Sequence, residues 1–273
     1  MTKRESKKII LSNGVELTYE EYGVGNKETM IMGQFYYDTF QRWVNGMAEK
    51  FHIYAVIMRF DGKITFKNED GKTNWAEQWG NDIYEFSRAI GADKFLYVGK
   101  CHGSVPGWYL VDNHPEVLKG FVVGSLLPFN RIPKPPHPEM LSWGKALASG
   151  SPDQLRAGLP IMMRSQDRIE EKLQEIMNAD VSGISSSSAT GLPLVKYKTN
   201  EALGDFYSKI KLPVMLMYGT EDPGLDDEML LLAVKTIPQM KAVIFQGERH
   251  FYEMDIPEKL ADEVKLFATQ ISR

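Results

Sequence analysis

Hydrophobic positions along this chain fall into short apolar runs that alternate with segments of helical spacing. Residues 9–11 and 15–22 flank Asn13-Gly14, and Asn-Gly between β-type runs predicts a hairpin. Residues 29–32 predict a third strand, ended by Gly33. Trp43, Val44 and Met47 mark a helix within residues 40–50. Residues 52–58 are continuously apolar, as expected of a strand covered on both faces. Trp75, Trp79, Ile83, Phe86 and Ile90 place a helix over residues 74–90, stopped by Gly91. Residues 95–98 and 121–124 predict strands, with a helix from Ser104 to Asn113 between them. The helix tolerates Pro106 in its first turn and breaks before Pro115.

The pattern then changes. Residues 128–138 are rich in proline, residues 140–175 are helical in character, and residues 182–190 are a serine-rich loop. Another helix is expected near residues 200–210. Alternation resumes with strands at 214–218 and 242–245, a helix at 226–236, and a terminal helix at 257–271 with proline in its first turn. Strand–helix alternation argues for a parallel α/β sheet with a leading antiparallel hairpin. The expected organisation is a core domain of residues 1–126 and 211–273, interrupted by a helical insertion over residues 127–210.

Composition narrows the class. The chain has 273 residues, 43% hydrophobic and 25% charged, with a net charge of −4. That balance suits a globular protein and lacks the basic footprint of a nucleic-acid binder. The N-terminus has charged residues with no secretory apolar core behind them, and no apolar run is long enough to span a bilayer. A cytoplasmic protein is expected. The one cysteine rules out an intrachain disulfide and a cysteine-based zinc cluster. The expected partner is a small-molecule substrate, with no nucleic acid, membrane, metal or other cofactor, and a homodimer is allowed.

That cysteine sits in the most informative stretch. An apolar strand runs into Gly99-Lys100-Cys101-His102-Gly103 and then into a helix. A strand turning sharply into a helix holds the central residue in a strained conformation with its side chain exposed. Small residues two before and two after permit the close approach. The N–H of His102, at a helix N-terminus, is placed to stabilise an oxyanion. Otherwise His102 offers mainly its backbone. Taken alone, Cys101 is as well read as an inert buried thiol.

A nucleophile of this kind needs a base, and the base an orienting acid. The strand at 214–218 is followed by Gly219-Thr220-Glu221-Asp222, and the strand ending at Phe245 by Gly247-Glu248-Arg249-His250. The order cysteine, aspartate, histidine, each shortly after a strand, points to Cys101, Asp222 and His250 as a triad. Glu221 could replace Asp222 as the acid. Asp222 in a Glu-Asp-Pro-Gly sequence also reads as a turn former. The second oxyanion donor is expected after the third strand, with Gln34 N–H first and Phe35 N–H second. Phe35, Tyr36 and Trp143 are candidate apolar or aromatic substrate contacts. Trp143 and the methionines of the insertion also read as ordinary core.

At the elbow, at Gly219-Thr220-Glu221-Asp222, and from Gly247 to Ile256-Pro257-Glu258, the chain resembles the α/β-hydrolase superfamily. The resemblance runs over nearly the whole length. It implies an α/β fold with an eight-stranded, mostly parallel sheet, a helical cap insertion and no cofactor. It is similar to the capped branch that includes carbon–carbon bond hydrolases, lactonases and esterases. Cysteine at the elbow is similar to dienelactone hydrolases and polyester synthases. The family's histidine-glycine pair is Met32-Gly33 here, and the stretch from Ile57 to Ile64 keeps only Arg59 and Gly62 of its usual loop. The resemblance implies a hydrolase of an ester, lactone, thioester or C–C bond working through an acyl-thioester. An acyltransferase with the same triad, or a non-catalytic small-molecule-binding protein on the same fold, stands beside it.

Overall fold

The computed structural model describes residues 6–34, 41–58, 75–125, 127, 137–178 and 196–272. Residues 59–64 of the stretch compared with the family's loop, the serine-rich loop at 182–190 and most of the proline-rich stretch lie outside them. The strands are β1 (Lys7–Ile10), β2 (Glu16–Tyr22), β3 (Glu28–Gln34), β4 (Phe51–Ile57), β5 (Phe95–Lys100), β6 (Leu118–Gly124), β7 (Val214–Gly219) and β8 (Met240–Phe245). The helices are α1 (Gln41–Met47), α2 (Trp75–Ala89), α3 (Val105–Asn113), α4 (Pro138–Ser149), α5 (Pro152–Met162), α6 (Ile169–Asn178), α7 (Asn200–Ser208), α8 (Asp227–Thr236), α9 (Tyr252–Asp255) and α10 (Pro257–Ile271).

The strands form one eight-stranded sheet in the order β1-β2-β4-β3-β5-β6-β7-β8. β2 runs antiparallel to both β1 and β4. Every pairing from β4 through β8 is parallel. The hairpin turns where Asn13-Gly14 predicts it: Gly14 has a φ of 82° and donates to the Leu11 carbonyl. A side chain would resist that φ, and glycine does not.

Each face of the sheet is covered by its own apolar layer. On one side Trp79, Ile83 and Phe86 of α2, Trp108 of α3, Tyr207 of α7 and Ala233 of α8 pack with Tyr97 and Phe121. On the other, Trp43, Val44 and Met47 of α1 meet Leu260, Val264 and Phe267 of α10 over Met30, Val98 and Met215. Each large side chain buried this way contributes about 1.5–3 kcal/mol of transfer free energy. The central strand β5 is buried at all six positions, which explains why it reads as an uninterrupted apolar run up to Gly99.

Helices α4 to α6, together with Met254 of α9, form a third apolar cluster, built from Trp143, Leu155, Leu159, Met162, Met163, Leu173 and Met254. Ser151 caps α5 after Gly150 ends α4 in the left-handed region, so one helical stretch divides in two. α7 does not join this cluster; its Leu203 and Tyr207 pack with the sheet layer. Among the described residues no helix is long and apolar enough to cross a membrane.

Candidate active site

β5 ends at Lys100, and Cys101 follows with a φ of 50°, in the left-handed region that side chains rarely occupy. Such a conformation costs on the order of 1–3 kcal/mol and persists only where the surroundings enforce it. Here glycines do so. A Cβ on Gly99 would lie 2.2 Å from the Gly103 carbonyl oxygen, and one on Gly103 would lie 2.3 Å from the Gly33 carbonyl oxygen. The buried Tyr97 hydroxyl donates to the Gly103 carbonyl at 2.7 Å and fixes the turn from below. A short 3₁₀ turn over Cys101–Ser104 precedes α3, so the α-helix starts one residue later than Ser104.

Gly33 corrects the sequence expectation. It does not end β3: the strand continues through it to Gln34, which pairs with Ile57 of β4. Glycine is required there because the elbow packs directly on it. Gln34 is buried at the end of β3, next to that contact. Phe35 and Tyr36 lie outside the described residues.

Asp222 and His250 come together from the loops after β7 and β8. His250 Nδ1 is 3.0 Å from both carboxylate oxygens of Asp222. Asp222 also accepts from the Gly224 N–H at 2.8 Å, and its own N–H donates to the Gly219 carbonyl. Both side chains are buried. Glu221, the alternative acid, is turned away and pairs with Arg249 at 3.2 Å. The turn reading of Asp222 and the acid reading both hold, because the turn is what aims the carboxylate.

Charge at the site follows from these contacts. Burial works against the charged ring of His250, but the Asp222 carboxylate and the Cys101 sulfur together outweigh it and raise the imidazole to about 10. Burial likewise pushes the Cys101 thiol up, yet the His102 and His250 rings overcome it and hold the thiol well below its ordinary value. Burial raises Asp222 too, and His250 more than reverses this, so the carboxyl is lowered. The arrangement favours thiolate beside imidazolium, the nucleophilic form of cysteine.

Two contributors were not foreseen. The His102 ring, expected to be a bystander, places Nδ1 3.1 Å from Cys101 Sγ. Lys100 is almost fully buried, with its ammonium 3.0 Å from Glu253 of α9. Lys172 of α6 lies 3.9 Å from the same Glu253 and 3.4 Å from Glu175. Both ammonium groups lie over the ring of Phe251, at 5.6 and 4.6 Å. A lysine at the end of a strand buried on both faces was the available signal for this cluster, since buried lysines need partners.

The histidine loop is stitched to α5 and to the segment that follows it. Phe251 N–H donates to the Met162 carbonyl at 2.6 Å, and Arg249 donates to the Pro160 and Ile161 carbonyls at 3.1 and 3.2 Å. That guanidinium satisfies carbonyls at the end of α5, where the helix leaves them open. The backbone N–H groups of Arg164 and Ser165 donate to Asp255 at 3.0 and 2.7 Å, and the Arg168 guanidinium donates to the Met254 carbonyl. Trp143 lies in the α4–α6 cluster, edge-on to Phe251 with ring centres 5.8 Å apart. Among the described residues no group of three or more His, Cys, Asp or Glu side chains could hold a metal ion.

No protein-family model matches the chain. It is 21% identical over 281 residues to an epoxide hydrolase of Caenorhabditis elegans, covering 93% of this chain and 68% of that protein. It is also 21% identical over 260 residues to an (E)-2-((N-methylformamido)methylene)succinate hydrolase of Acinetobacter baylyi, covering 93% and 95%. Among solved structures, an esterase from a Rhodococcus species superposes with a TM-score of 0.76 at 15% identity, covering 97% of this chain and 99% of that one. A meta-cleavage product hydrolase from Pseudomonas fluorescens superposes with a TM-score of 0.75 at 15% identity, covering 97% of each. The chain has the α/β-hydrolase fold.

Proposed function

We propose that this protein is a hydrolase that cleaves an ester, thioester, lactone or ketone-activated C–C bond of a small apolar substrate through a covalent thioester on Cys101. The observation that carries this reading is the left-handed Cys101 at the elbow, beside a buried His250–Asp222 pair. The Cys101 thiolate attacks the carbonyl carbon, and the oxyanion is received by the N–H groups of His102 and Gln34. His250 protonates the leaving group as the C–X bond breaks. It then takes a proton from water, which attacks the thioester and releases the acid. Asp222 holds the ring in the tautomer this requires. Helices α4–α6 serve as a cap whose apolar cluster, with Trp143, flanks the substrate site. The cytoplasm, where a thiol stays reduced, suits such a nucleophile.

The nucleophile also discriminates among the substrates of the relatives. An epoxide opened by Sγ would leave a thioether, which has no carbonyl for water to attack. An acyl substrate leaves a thioester, which water can resolve. Acyl-cleaving chemistry, such as that of the similar esterase, therefore fits better than the epoxide opening for which the Caenorhabditis elegans relative is named.

The test is turnover of a panel of p-nitrophenyl esters, acyl thioesters, lactones and vinylogous 1,5-diketones by wild type, Cys101→Ala and His250→Ala. Turnover on at least one acyl class, lost in both variants, is expected. No turnover across the panel, or full activity in Cys101→Ala, contradicts the proposal.

A further inference from the structure

Neighbouring side chains in a helical turn do not normally face each other. At the elbow they do, because Cys101 is left-handed and the chain reverses around it. The result is a 3.1 Å contact between His102 Nδ1 and the reacting sulfur. The residue after the nucleophile needs only its backbone N–H to bind an oxyanion, so the ring is not explained by that duty. Two imidazoles converge on one sulfur: His102 from the elbow itself, and His250, whose Nδ1 is committed to Asp222. Among the described residues, the Lys100 ammonium and the Tyr252 hydroxyl also act on this sulfur electrostatically, with Glu253 behind Lys100.

We propose that His102 is a second catalytic residue: its Nδ1–H donates to Cys101 Sγ and keeps the sulfur anionic, while His250 is left to carry the proton. This rests on the acyl-transfer reading above. The division changes the reaction in a definite way. When Sγ forms its bond to the acyl carbon, the leaving group takes a proton from His250 and the His102 hydrogen bond is released. When water resolves the thioester, its proton returns to His250 and the departing thiolate regains the His102 hydrogen bond. A site with a single histidine loses its thiolate once that histidine is removed. Here the thiolate survives removal of His250. His250→Ala would then be a one-shot enzyme, acylated by esters whose leaving group needs no proton and unable to deacylate at the normal rate.

The experiment uses the full-length protein and does not depend on knowing the natural substrate. Thiolate absorbance near 240 nm and the rate of iodoacetamide alkylation are followed against pH for wild type, His102→Leu, His102→Phe, His102→Gln and His250→Ala. The two variants lacking a donor are expected to titrate about one pH unit or more higher, a loss of about tenfold in thiolate on the low-pH side of the titration. His102→Phe keeps the ring volume and decides the matter if His102→Leu fails to fold. His102→Gln restores a donor and brings the curve part of the way back. His250→Ala with p-nitrophenyl acetate should release one equivalent of p-nitrophenolate and then stall. Coincident titration curves for wild type and a folded donor-less variant would overturn the role of His102, even if turnover needs Cys101. Turnover surviving in Cys101→Ala would instead overturn the acyl-transfer reading, whatever the titration shows.

Discussion

The elbow carrying Cys101 and the loop carrying His250 meet at one sulfur atom, and they are held there by different forces. The elbow is fixed by backbone and packing. It follows a fully buried strand, and three glycines bring its turn against β3 and β5 with no space for a methyl group. The histidine loop is fixed by charge and hydrogen bonds. Asp222 holds the ring, Lys100 and Lys172 share Glu253 beneath it, and six residues of the 160–168 segment bond to residues 249–255. A site assembled this way should fail differently when struck on each side. Damage to the elbow's glycines should act through sterics and be insensitive to pH. Damage to the histidine loop should act through electrostatics and move pH profiles.

The largest effect is expected at Asp222. Asp222→Asn leaves a hydrogen-bonding side chain but removes the charge that favours imidazolium, and loss of such an acid lowers kcat by about 10⁴-fold. The alkaline limb of the rate profile, set near pH 10 by His250, should move to lower pH. The same shift has a stability signature. The folded His250 holds its proton more tightly than the unfolded one, whose value is about 6.5. Its contribution to stability is therefore complete below about pH 6.5 and disappears as pH rises to about 10. Urea unfolding of wild type and Asp222→Asn at pH 6 and pH 10 checks the sign: the gap between them should narrow at the higher pH.

Lys100→Met comes next. Removing one partner of a buried ion pair costs about 3–5 kcal/mol when the other charge is left alone, and less than that ceiling here, because Lys172 remains 3.9 Å from Glu253. The double variant Lys100→Met/Glu253→Leu should recover most of that, because both charges leave together. If the single and double variants unfold at the same urea concentration, the pair is not what steadies the loop. Gly103→Ala is expected to lose about 1–3 kcal/mol through overpacking, with a matching loss of activity at every pH. A full rate at any pH would contradict the close approach to the Gly33 carbonyl oxygen. Arg164→Ala should be the mildest. Its side chain is 56% exposed where it pairs with Glu248 at 2.9 Å, and a pair of that kind contributes about 0–1 kcal/mol.

The same contrast explains what could be read from the sequence. The sheet was legible because parallel strands buried on both faces are continuous apolar runs, and β4, β5, β6 and β7 all fall where such runs lie. The terminal helix was legible from its proline and its spacing, and it runs from Pro257 to Ile271. Cys101, Asp222 and His250 were legible because each follows a strand, so strand order alone brings them to one end of the sheet. Gly33 was misread as a strand end because a glycine required by a distant contact looks, in sequence, like any other terminator. Whether Asp222 or Glu221 faces the ring could not be read either, since one residue reverses the direction of a side chain. The Lys100–Glu253–Lys172 cluster joins positions far apart in the chain, and no local pattern encodes that pairing. His102 was overlooked for a related reason: its contact with Sγ depends on the backbone angle of Cys101, not on its own neighbours.

The central claim is that Cys101 carries the substrate's acyl group as an intermediate. Rapid-quench intact-mass measurement tests it directly, using wild-type protein and whichever acyl substrate is turned over. An adduct of the acyl mass is expected on the Cys101 peptide, forming at least as fast as product appears and decaying at a rate that accounts for turnover. Steady turnover with Cys101 unmodified throughout would contradict it.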